Sequence, residues 1–381
     1  GCFAFTFGMM MVGKATYSDN RWITQAALPG RGVMEMSQPG EFARSDVYKG
    51  NDNLAMYWDL PNIQCFHSIV PVSLMEFYPE VGVKRDVSSK PDKKYLHLRS
   101  LLSVKWLYIA EGEEEQSPMR GFDLVDTRLG YNIYQNQNYL PMGFSYDKYI
   151  TQKDWDGLPT DYKSRALLHG IYLEDEVLAR HRDILKPVEE GWMGSLAVDE
   201  LELDVADRRA MTCDTFTVDT RGFTATSYFD RERLVFFSVP YDKGWSATVN
   251  GQPARIEKVN IGFMAVRVPA GPVTIRFGYT TPGLIPGAVC SVASLALLGL
   301  YLLIAARVKP CPVPPQDYDP AFYLERPRAP RFVPGEFDQR LGEDEPSPPP
   351  QPEDPPQGTD LPLPEDQEIK DTDETERSDT P

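Results

Sequence analysis

The sequence predicts an α+β protein. A mixed α/β region is followed by a small antiparallel β-sandwich of the jelly-roll type, one C-terminal transmembrane helix and a disordered tail. Three observations predict this fold. Residues 15–194 mix helical and extended patterns, residues 195–282 form short strand-like runs between turn residues, and residues 284–306 hold 23 positions without a charge. A stretch of that length crosses the ~30 Å hydrocarbon core of a bilayer as a helix.

The acidity of the chain is concentrated after the apolar run. Of the formal net charge of −17, residues 310–381 contribute −13, from 19 acidic and 6 basic side chains, and they hold 18 of the 34 prolines. With few aliphatic residues to offset the entropy of ordering, the tail of residues 307–381 is predicted to be disordered. The rest of the chain is nearly neutral, which excludes a basic surface for nucleic acid.

At the start of the chain stands a shorter apolar stretch. Residues 1–12 are apolar, but Lys14 follows, so the stretch is too short to span a bilayer. We interpret residues 1–14 as the end of a truncated transmembrane helix, which makes the chain a fragment of a longer protein. A signal-peptide remnant, or a lipoprotein anchored through Cys2, is the alternative.

Residues 15–194 are predicted to contain several short elements. Residues 70–78 predict a helix, and residues 96–109 predict a helix that leads into a buried strand. Residues 132–144 are rich in Asn and Gln and predict extended chain and turns. Residues 151–187 predict helical structure, because apolar residues recur there at helical spacing. These apolar residues are Ala166, Leu167, Ile171, Leu173, Val177 and Leu178.

Residues 195–282 predict the β-sandwich. The predicted strands are residues 215–218, 223–228, 234–239, 245–249, 254–259, 263–268 and 273–279. Asn250-Gly251 is the strongest hairpin signal, since both residues tolerate the positive φ of a type I′ turn. Strands with such close turns are typical of a small sandwich or jelly roll.

Residues 283–306 are predicted to form the transmembrane helix. Arg307 and Lys309 follow it at once, and the positive-inside rule then places residues 307–381 in the cytoplasm and residues 15–282 outside it. A buried helix of a soluble protein is the alternative. The long uncharged run followed by two cations argues against that alternative.

Common catalytic motifs are absent from the sequence. It contains no G-x-S-x-G, no P-loop and no H-E-x-x-H. His67 and His97 lie among apolar residues and are interpreted as core histidines. The carboxylates at residues 111 and 113–115 are interpreted as a solvated loop, and no cysteine spacing suggests zinc. We therefore predict no catalytic residue, no metal and no cofactor in this chain.

Two of the five cysteines, Cys65 and Cys213, fall in the predicted globular region. Two buried free thiols are the preferred interpretation, and one disulfide between them is the alternative. The cysteines therefore do not determine the redox compartment.

Two groups of residues are candidates for substrate binding. The first group is Asp154, Trp155 and Asp156. The second group is Tyr241, Asp242 and Trp245. The first combines an aromatic face with carboxylates, which suits a pyranose ring, although Asp-Gly is also ordinary turn chemistry. The second lies in the turn between two predicted strands, where Trp245 as a core anchor of the sandwich is the preferred alternative.

Three segments occur in a characteristic order. They are LLSVKWLYI at residues 101–109, IYQNQNYLPMGF at residues 133–144, and residues 239–283, which run from the sandwich into the membrane helix. In this order they resemble the YfhO family of bacterial integral membrane proteins. The acidic tail has no counterpart in the family pattern.

The resemblance implies a multi-pass protein of the bacterial cell membrane, similar to GT-C-type glycosyltransferases. Such an enzyme moves a sugar from a polyprenyl-phosphate carrier to a cell-envelope polymer such as teichoic acid. Its catalytic groups are expected in an early extracytoplasmic loop, so the residues of this chain are expected to assist acceptor binding. A non-catalytic, membrane-anchored glycan-binding or scaffolding module is the alternative. The expected partners are membrane lipid, the polyprenyl-phosphate sugar and the glycopolymer, with a cytoplasmic partner for the Pro-rich tail and no nucleic acid.

Overall fold

The structure, a computed structural model, describes residues 2–15, 22–64, 66, 69–84, 88–112, 119–196 and 200–308. The predictions for Cys65, His67, residues 113–115 and the tail from residue 309 onward concern residues outside this description.

The described residues form helices and strands in mixed order, which confirms the α+β prediction. The helices are α1 (Cys2–Ala15), α2 (Leu28–Gly30), α3 (Leu54–Tyr57), α4 (Val72–Glu80), α5 (Leu96–Leu101), α6 (Gln152–Asp156), α7 (Thr160–His169), α8 (Asp175–His181), α9 (Trp192–Ser195), α10 (Leu201–Arg209) and α11 (Leu284–Arg307), with a π-helical turn at Ile23–Ala27. The strands are β1 (Arg44–Val47), β2 (Val104–Ala110), β3 (Phe122–Arg128), β4 (Tyr131–Asn136), β5 (Phe144–Ser145), β6 (Lys148–Ile150), β7 (Ile171–Tyr172), β8 (Lys186–Pro187), β9 (Thr215–Asp219), β10 (Gly222–Phe229), β11 (Arg233–Pro240), β12 (Trp245–Val249), β13 (Gln252–Ala254), β14 (Ile256–Val259), β15 (Phe263–Val268) and β16 (Gly271–Tyr279).

Two antiparallel sheets form the predicted sandwich. A five-stranded sheet in the order β13-β12-β16-β10-β9 packs against a four-stranded sheet in the order β14-β15-β11-β5. Val273, Ile275 and Phe277 of β16 are buried at alternate positions, as a period of two requires. Asn250 and Gly251 have φ angles of 50° and 77°, which confirms the predicted turn between β12 and β13.

The four-stranded sheet is buried on both faces. Val235 and Phe237 of β11 pack between the two sheets, whereas Leu234 and Phe236 pack against the helices of the mixed region. The ring of Phe236 lies 5.1 Å from that of Phe144, which belongs to β5 and comes from the mixed region. The sandwich therefore shares its core with the preceding residues, and residue 195 does not separate two independent cores.

Two predictions of secondary structure are wrong. Residues 195–214 contain the helix α10 where strands were expected. Residues 151–187 are interrupted, because the helices α6, α7 and α8 alternate with the short strands β7 and β8, which pair with β6 in a parallel sheet. Ile171 and Leu173 are both buried in the main core. Apolar residues two positions apart are typical of a strand, but they also fit an irregular helical pattern, so the sequence did not distinguish the two.

The other predicted elements agree with the structure. The helix expected at residues 70–78 is α4, and the helix followed by a buried strand at residues 96–109 is α5 with β2. The extended chain expected at residues 132–144 contains β4 and leads into β5. The sheet that contains β4 has the order β1-β2-β4-β3, in which β1 and β2 are parallel.

The predicted transmembrane segment is the helix α11. Its mean hydropathy reaches 2.3 and its residues are exposed, so it is not a core helix of the folded part. Among the described residues it is the one helix that is long and apolar enough to cross a membrane. The helix α1 is apolar but shorter.

A buried carboxylate joins the helix α8 to the sandwich. Glu257 of β14 accepts hydrogen bonds from Arg180 Nε and Nη2 at 2.9 and 2.6 Å, and His181 Nε2 lies 3.2 Å away. Burial by itself raises the pKa of Glu257, but the hydrogen bonds from His181 and Arg180 outweigh it and bring the pKa to about 2. The folded state therefore favours the ionised carboxylate more than the unfolded state does.

Acid is expected to destabilise the protein through Glu257. Because the folded-state pKa is depressed, this contribution is complete above the unfolded value near 4.5 and is lost as the pH falls towards about 2. In urea titrations between about pH 6 and about pH 2.5, Glu257→Gln should show a shallower loss of stability than the unmodified protein. Glu202→Gln, at an exposed pair with Arg120, is the control and should leave the slope unchanged. Equal slopes for the Glu257 variant and the unmodified protein would refute this assignment.

Candidate functional site

The end of the sandwich next to α11 carries the second group of candidate residues. Tyr279 ends β16, and α11 begins shortly afterwards at Leu284. Tyr279 pairs with Trp245 at the start of β12, and Gly278 pairs with Gly222 at the start of β10. The turns that precede β10 and β12 therefore lie at this same end. We call this end the rim, and it comprises Arg221, Tyr241, Asp242, Lys243, Trp245 and Tyr279.

Backbone contacts hold the turn between β11 and β12 in place. Asp242 Oδ1 accepts a hydrogen bond from the Gly244 amide at 2.7 Å, and the Thr280 amide donates to the Gly244 carbonyl at 3.0 Å. A Cβ atom at Gly244 would lie 2.5 Å from the Thr280 oxygen, so glycine is required there. The Tyr241 amide donates to the Gly262 carbonyl at 2.9 Å, which ties the turn to the second sheet. The backbone of the turn that carries Asp242 and Lys243 is thus held by both sheets.

Trp245 is anchored on one side and open on the other. Its ring centroid lies 5.6 Å from that of Phe223 and 5.0 Å from that of Tyr279, and the side chain is half-buried. The role of Trp245 as an anchor of the sandwich core is therefore confirmed. These ring contacts position its remaining exposed surface, and a side chain positioned in advance lowers the entropic cost of binding a ligand.

Tyr279 and Asp242 form a polar pair beside this indole. Burial raises the pKa of Tyr279, and its hydrogen bond with Asp242 raises it further. The phenol therefore keeps its proton at neutral pH. With Lys243 and Arg221 exposed beside them, the rim combines three aromatic side chains, a carboxylate and two cationic groups. This set can pack against the CH face of a sugar and bind its hydroxyl groups.

The first group of candidates lies elsewhere, on α6. Trp155 is buried, its Nε1 donates to Glu80 Oε2 at 3.2 Å, and its ring packs 5.0 Å from that of Tyr172. Lys163 Nζ lies 4.9 Å from the same ring. The indole of Trp155 is therefore covered by protein, and no open face is left for a sugar in this conformation.

The two acids beside Trp155 have different surroundings. Asp154 is half-buried, and Thr151 caps α6 by accepting from the Asp154 amide at 3.1 Å and donating to Asp154 Oδ2 at 2.7 Å. Asp156 is exposed. A binding role for this group stays a prediction.

The structure does not bring the two groups together. Glu80, at the end of α4, contacts Trp155, whereas Ser73, near the start of α4, lies against Gly262 beside the rim. Ser73 and Glu80 are seven residues apart in α4, which separates these contacts by roughly 10 Å at 1.5 Å per residue. Two separate surfaces result.

Sequence reasoning missed a third cluster, between α7 and α10. His169 Nδ1 lies 3.1 Å from Asp204 Oδ1, and its ring stacks on that of Trp192 at 5.8 Å. Such a pair could orient an imidazole for proton transfer. The adjoining cleft has a volume of about 10 Å³, which is room for about one water molecule and excludes a substrate. The sequence signal that could have indicated this cluster is the spacing of Arg165 and His169, which are four residues apart on α7.

Cysteine and metal chemistry find no support in the described part of the chain. Cys213 is a free, buried thiol, and burial raises its pKa to about 12, with a smaller effect of Asp214 in the same direction. Such a thiol is a poor nucleophile at neutral pH. No group of three or more His, Cys, Asp or Glu side chains is arranged to hold a metal ion among the residues described.

Comparisons with known proteins identify similar chains. A family model described as "Bacterial membrane protein YfhO" matches residues 30–191 and 195–291. A curated relative from Bacillus subtilis (strain 168), described as "Uncharacterized protein YfhO", is 24% identical over 98 residues, which are 26% of this chain and 11% of the relative. The matched segment is thus about a tenth of the length of that relative. No solved structure matches the chain.

Proposed function

Because the chain belongs to the YfhO family of bacterial membrane proteins, we propose that it is the extracytoplasmic C-terminal part of a multi-pass membrane glycosyltransferase. In this proposal the whole protein moves a sugar from a polyprenyl-phosphate carrier to a cell-envelope polymer such as teichoic acid. The rim assists in binding the acceptor polymer, and the catalytic groups belong to other parts of the protein.

The position of the rim is the observation that carries the proposal. Tyr279 and Trp245 lie at the strand end from which the chain enters α11, so they lie close to the surface of the membrane that α11 would cross. A lipid-linked sugar presents its headgroup at that surface. An acceptor held at the rim would therefore be close to the donor, and proximity of the two reactants is a major part of transfer catalysis.

Charge around α11 supports the proposed orientation. Arg307 ends the helix and Lys309 follows it in the sequence, whereas the segment between Tyr279 and Leu284 carries no basic residue. Under the positive-inside rule the end with the cations faces the cytoplasm. The rim would then face the outside, where envelope polymers are assembled.

Variants of the rim should weaken acceptor binding. Asp242→Asn keeps an oxygen for the Gly244 amide but loses the charge, and Trp245→Leu keeps apolar contact with the core but loses the flat ring. With the full-length protein in proteoliposomes and a polyprenyl-phosphate sugar donor, each variant should raise the acceptor KM by about tenfold, or about 1.4 kcal/mol, with kcat nearly unchanged. Asp207→Asn, at an exposed position on α10 outside both groups of candidate residues, is the matched control and should change neither constant.

The same assay separates the proposed roles. A fall in kcat at unchanged KM would show that the rim acts in the chemical step and does not serve to bind the acceptor. If the full-length protein transfers no sugar but residues of the rim still bind envelope glycopolymer, the alternative of a non-catalytic glycan-binding module holds. If the rim variants keep both acceptor binding and sugar transfer, a role for the rim is refuted.

A further inference from the structure

Large apolar side chains are exposed in α3, at the start of α4 and in the segment between them. Ile69 is 90% exposed, Val72 at the start of α4 is 72% exposed, and Met56 in α3 is 67% exposed. Tyr57 and Phe66 are each 43% exposed, and Trp22 is half-buried. We call Trp22, Met56, Tyr57, Phe66, Ile69 and Val72 the apolar belt. Exposed apolar surface of this kind usually marks contact with a membrane or a partner protein.

One end of the apolar belt is continuous with the rim. A side chain at Gly262 would collide with the carbonyl oxygen of Ser73, so the start of α4 lies directly on the turn between β14 and β15. The rings of Phe77 and Phe263 pack at 4.6 Å and hold the helix there. The carbonyl of Gly262 in turn accepts the hydrogen bond from Tyr241 in the rim. From the rim the chain continues into α11.

Contacts between loops extend the apolar belt in the other direction. Asn53 exchanges two hydrogen bonds of 2.8 Å with the backbone of Phe66, which places Phe66 beside the start of α3. The ring of Tyr57, at the end of α3, packs edge-on against Trp22 at 5.9 Å. Trp22 follows the apolar helix α1 in the sequence, so the apolar belt runs between the chain segments that lead to α1 and α11.

We infer that the apolar belt rests in the headgroup layer of the bilayer that α11 crosses. Both ends of the apolar belt lead to apolar helices, so this face of the protein is the one turned towards the membrane. Ile69 projects with most of its surface free, as a side chain inserting between lipid headgroups must, whereas a residue lining a peptide groove would be covered at its sides. Trp22 and Tyr57 at one end, and the rim with Trp245 at the other, suit the interface, where one part of the ring is apolar and the other hydrated.

Photo-crosslinking to lipid tests this contact directly. In the full-length protein in phosphatidylglycerol/phosphatidylethanolamine vesicles, p-benzoylphenylalanine placed at Ile69 or Val72 should form phospholipid adducts detectable by mass spectrometry. The control position is Tyr228, which is 71% exposed and lies near the opposite end of β10, roughly 20 Å from the rim at 3.3 Å per residue. We expect adduct yields at Ile69 and Val72 to be at least about fivefold higher than at Tyr228.

Two results would overturn the inference. Adduct yields at Ile69 and Val72 equal to that at Tyr228 would show that lipid does not reach the apolar belt preferentially. Crosslinks to protein in place of lipid would show that another part of the full-length chain, or a second copy, covers this face.

As a second measurement, Ile69→Ser with Val72→Ser should leave the unfolding midpoint in detergent unchanged and should lower the lipid adduct yield at Met56. Neither readout depends on sugar transfer, so failure here is distinct from failure of the proposed function.

Discussion

Arg99→Met is expected to destabilise the protein by about 3–5 kcal/mol, because it leaves the carboxylate of Asp46 buried without its partner. Both side chains are fully buried. Arg99 Nε and Nη2 lie 2.9 and 2.8 Å from Asp46 Oδ2. The guanidinium also donates to the carbonyl oxygens of Pro91, Asp92 and Tyr95, at 2.9 to 3.1 Å. The substitution therefore removes the counter-charge of Asp46, which keeps only its hydrogen bond from Gln64, and three hydrogen bonds to backbone oxygens.

Urea unfolding of the protein in detergent micelles, followed by tryptophan fluorescence, measures this effect. Arg31→Met is the matched control, since Arg31 and Asp59 form an ion pair at 3.5 Å that is largely exposed. The control should change the free energy of unfolding by less than about 0.5 kcal/mol. A double variant, Asp46→Leu with Arg99→Met, should be less destabilised than the sum of the two single variants, since it removes both charges. Equal effects of Arg99→Met and Arg31→Met would contradict the buried pair.

Phe277→Ala is expected to cost about 3–5 kcal/mol by opening a cavity between the sheets of the sandwich. The side chain of Phe277 is fully buried. Its ring stacks on Phe223 at a centroid distance of 4.5 Å and meets Phe237 edge-on at 5.3 Å. Trp245 of the rim packs against it at 6.2 Å, so the rim should also become more mobile.

The same unfolding experiment checks this prediction. Val218→Ala, at an exposed position on β9 at the edge of the same sheet, is the control and should cost less than about 1 kcal/mol. A cost below about 1 kcal/mol for Phe277→Ala would mean that the two sheets do not pack as the structure has them. Quenching of Trp245 by a soluble quencher should increase in the Phe277 variant, and unchanged quenching would show that the rim does not depend on this ring.

Local sequence patterns correctly predicted those elements in which each side keeps the same environment, core or solvent, along the whole length. The alternation in β16 and the Asn250-Gly251 turn were both recognised, because one side of β16 meets the core and the other meets solvent. The error at α10 has the opposite cause. Only Leu201, Val205 and Arg208 of that helix are buried, and its mostly charged sequence gave a weak helical pattern.

The candidate site could be predicted only in part. Tyr241, Asp242 and Trp245 were selected from one turn, and the structure adds Tyr279 and Arg221, which lie 34 residues after and 24 residues before Trp245. Strand pairing brings these residues together, and the sequence around Tyr279 or Arg221 contains no local signal of that pairing. For Trp155 the local sequence was misleading, because its neighbouring acids suggested an exposed site. Glu80 and Tyr172, which belong to other elements, bury its ring.

The amino-acid sequence by itself determined the membrane helix, the acidity of the tail, the strands of the sandwich and the family of the chain. Each of these follows from neighbouring residues or their order, since hydrophobic length, charge and side-chain periodicity are local quantities. Only the tertiary structure decided that the sheet containing β11 is buried on both faces, that Asp46 meets Arg99, and that the apolar belt joins the rim. These depend on contacts between residues far apart in the chain, whose pairing is set by the packing of the whole fold and leaves no local pattern.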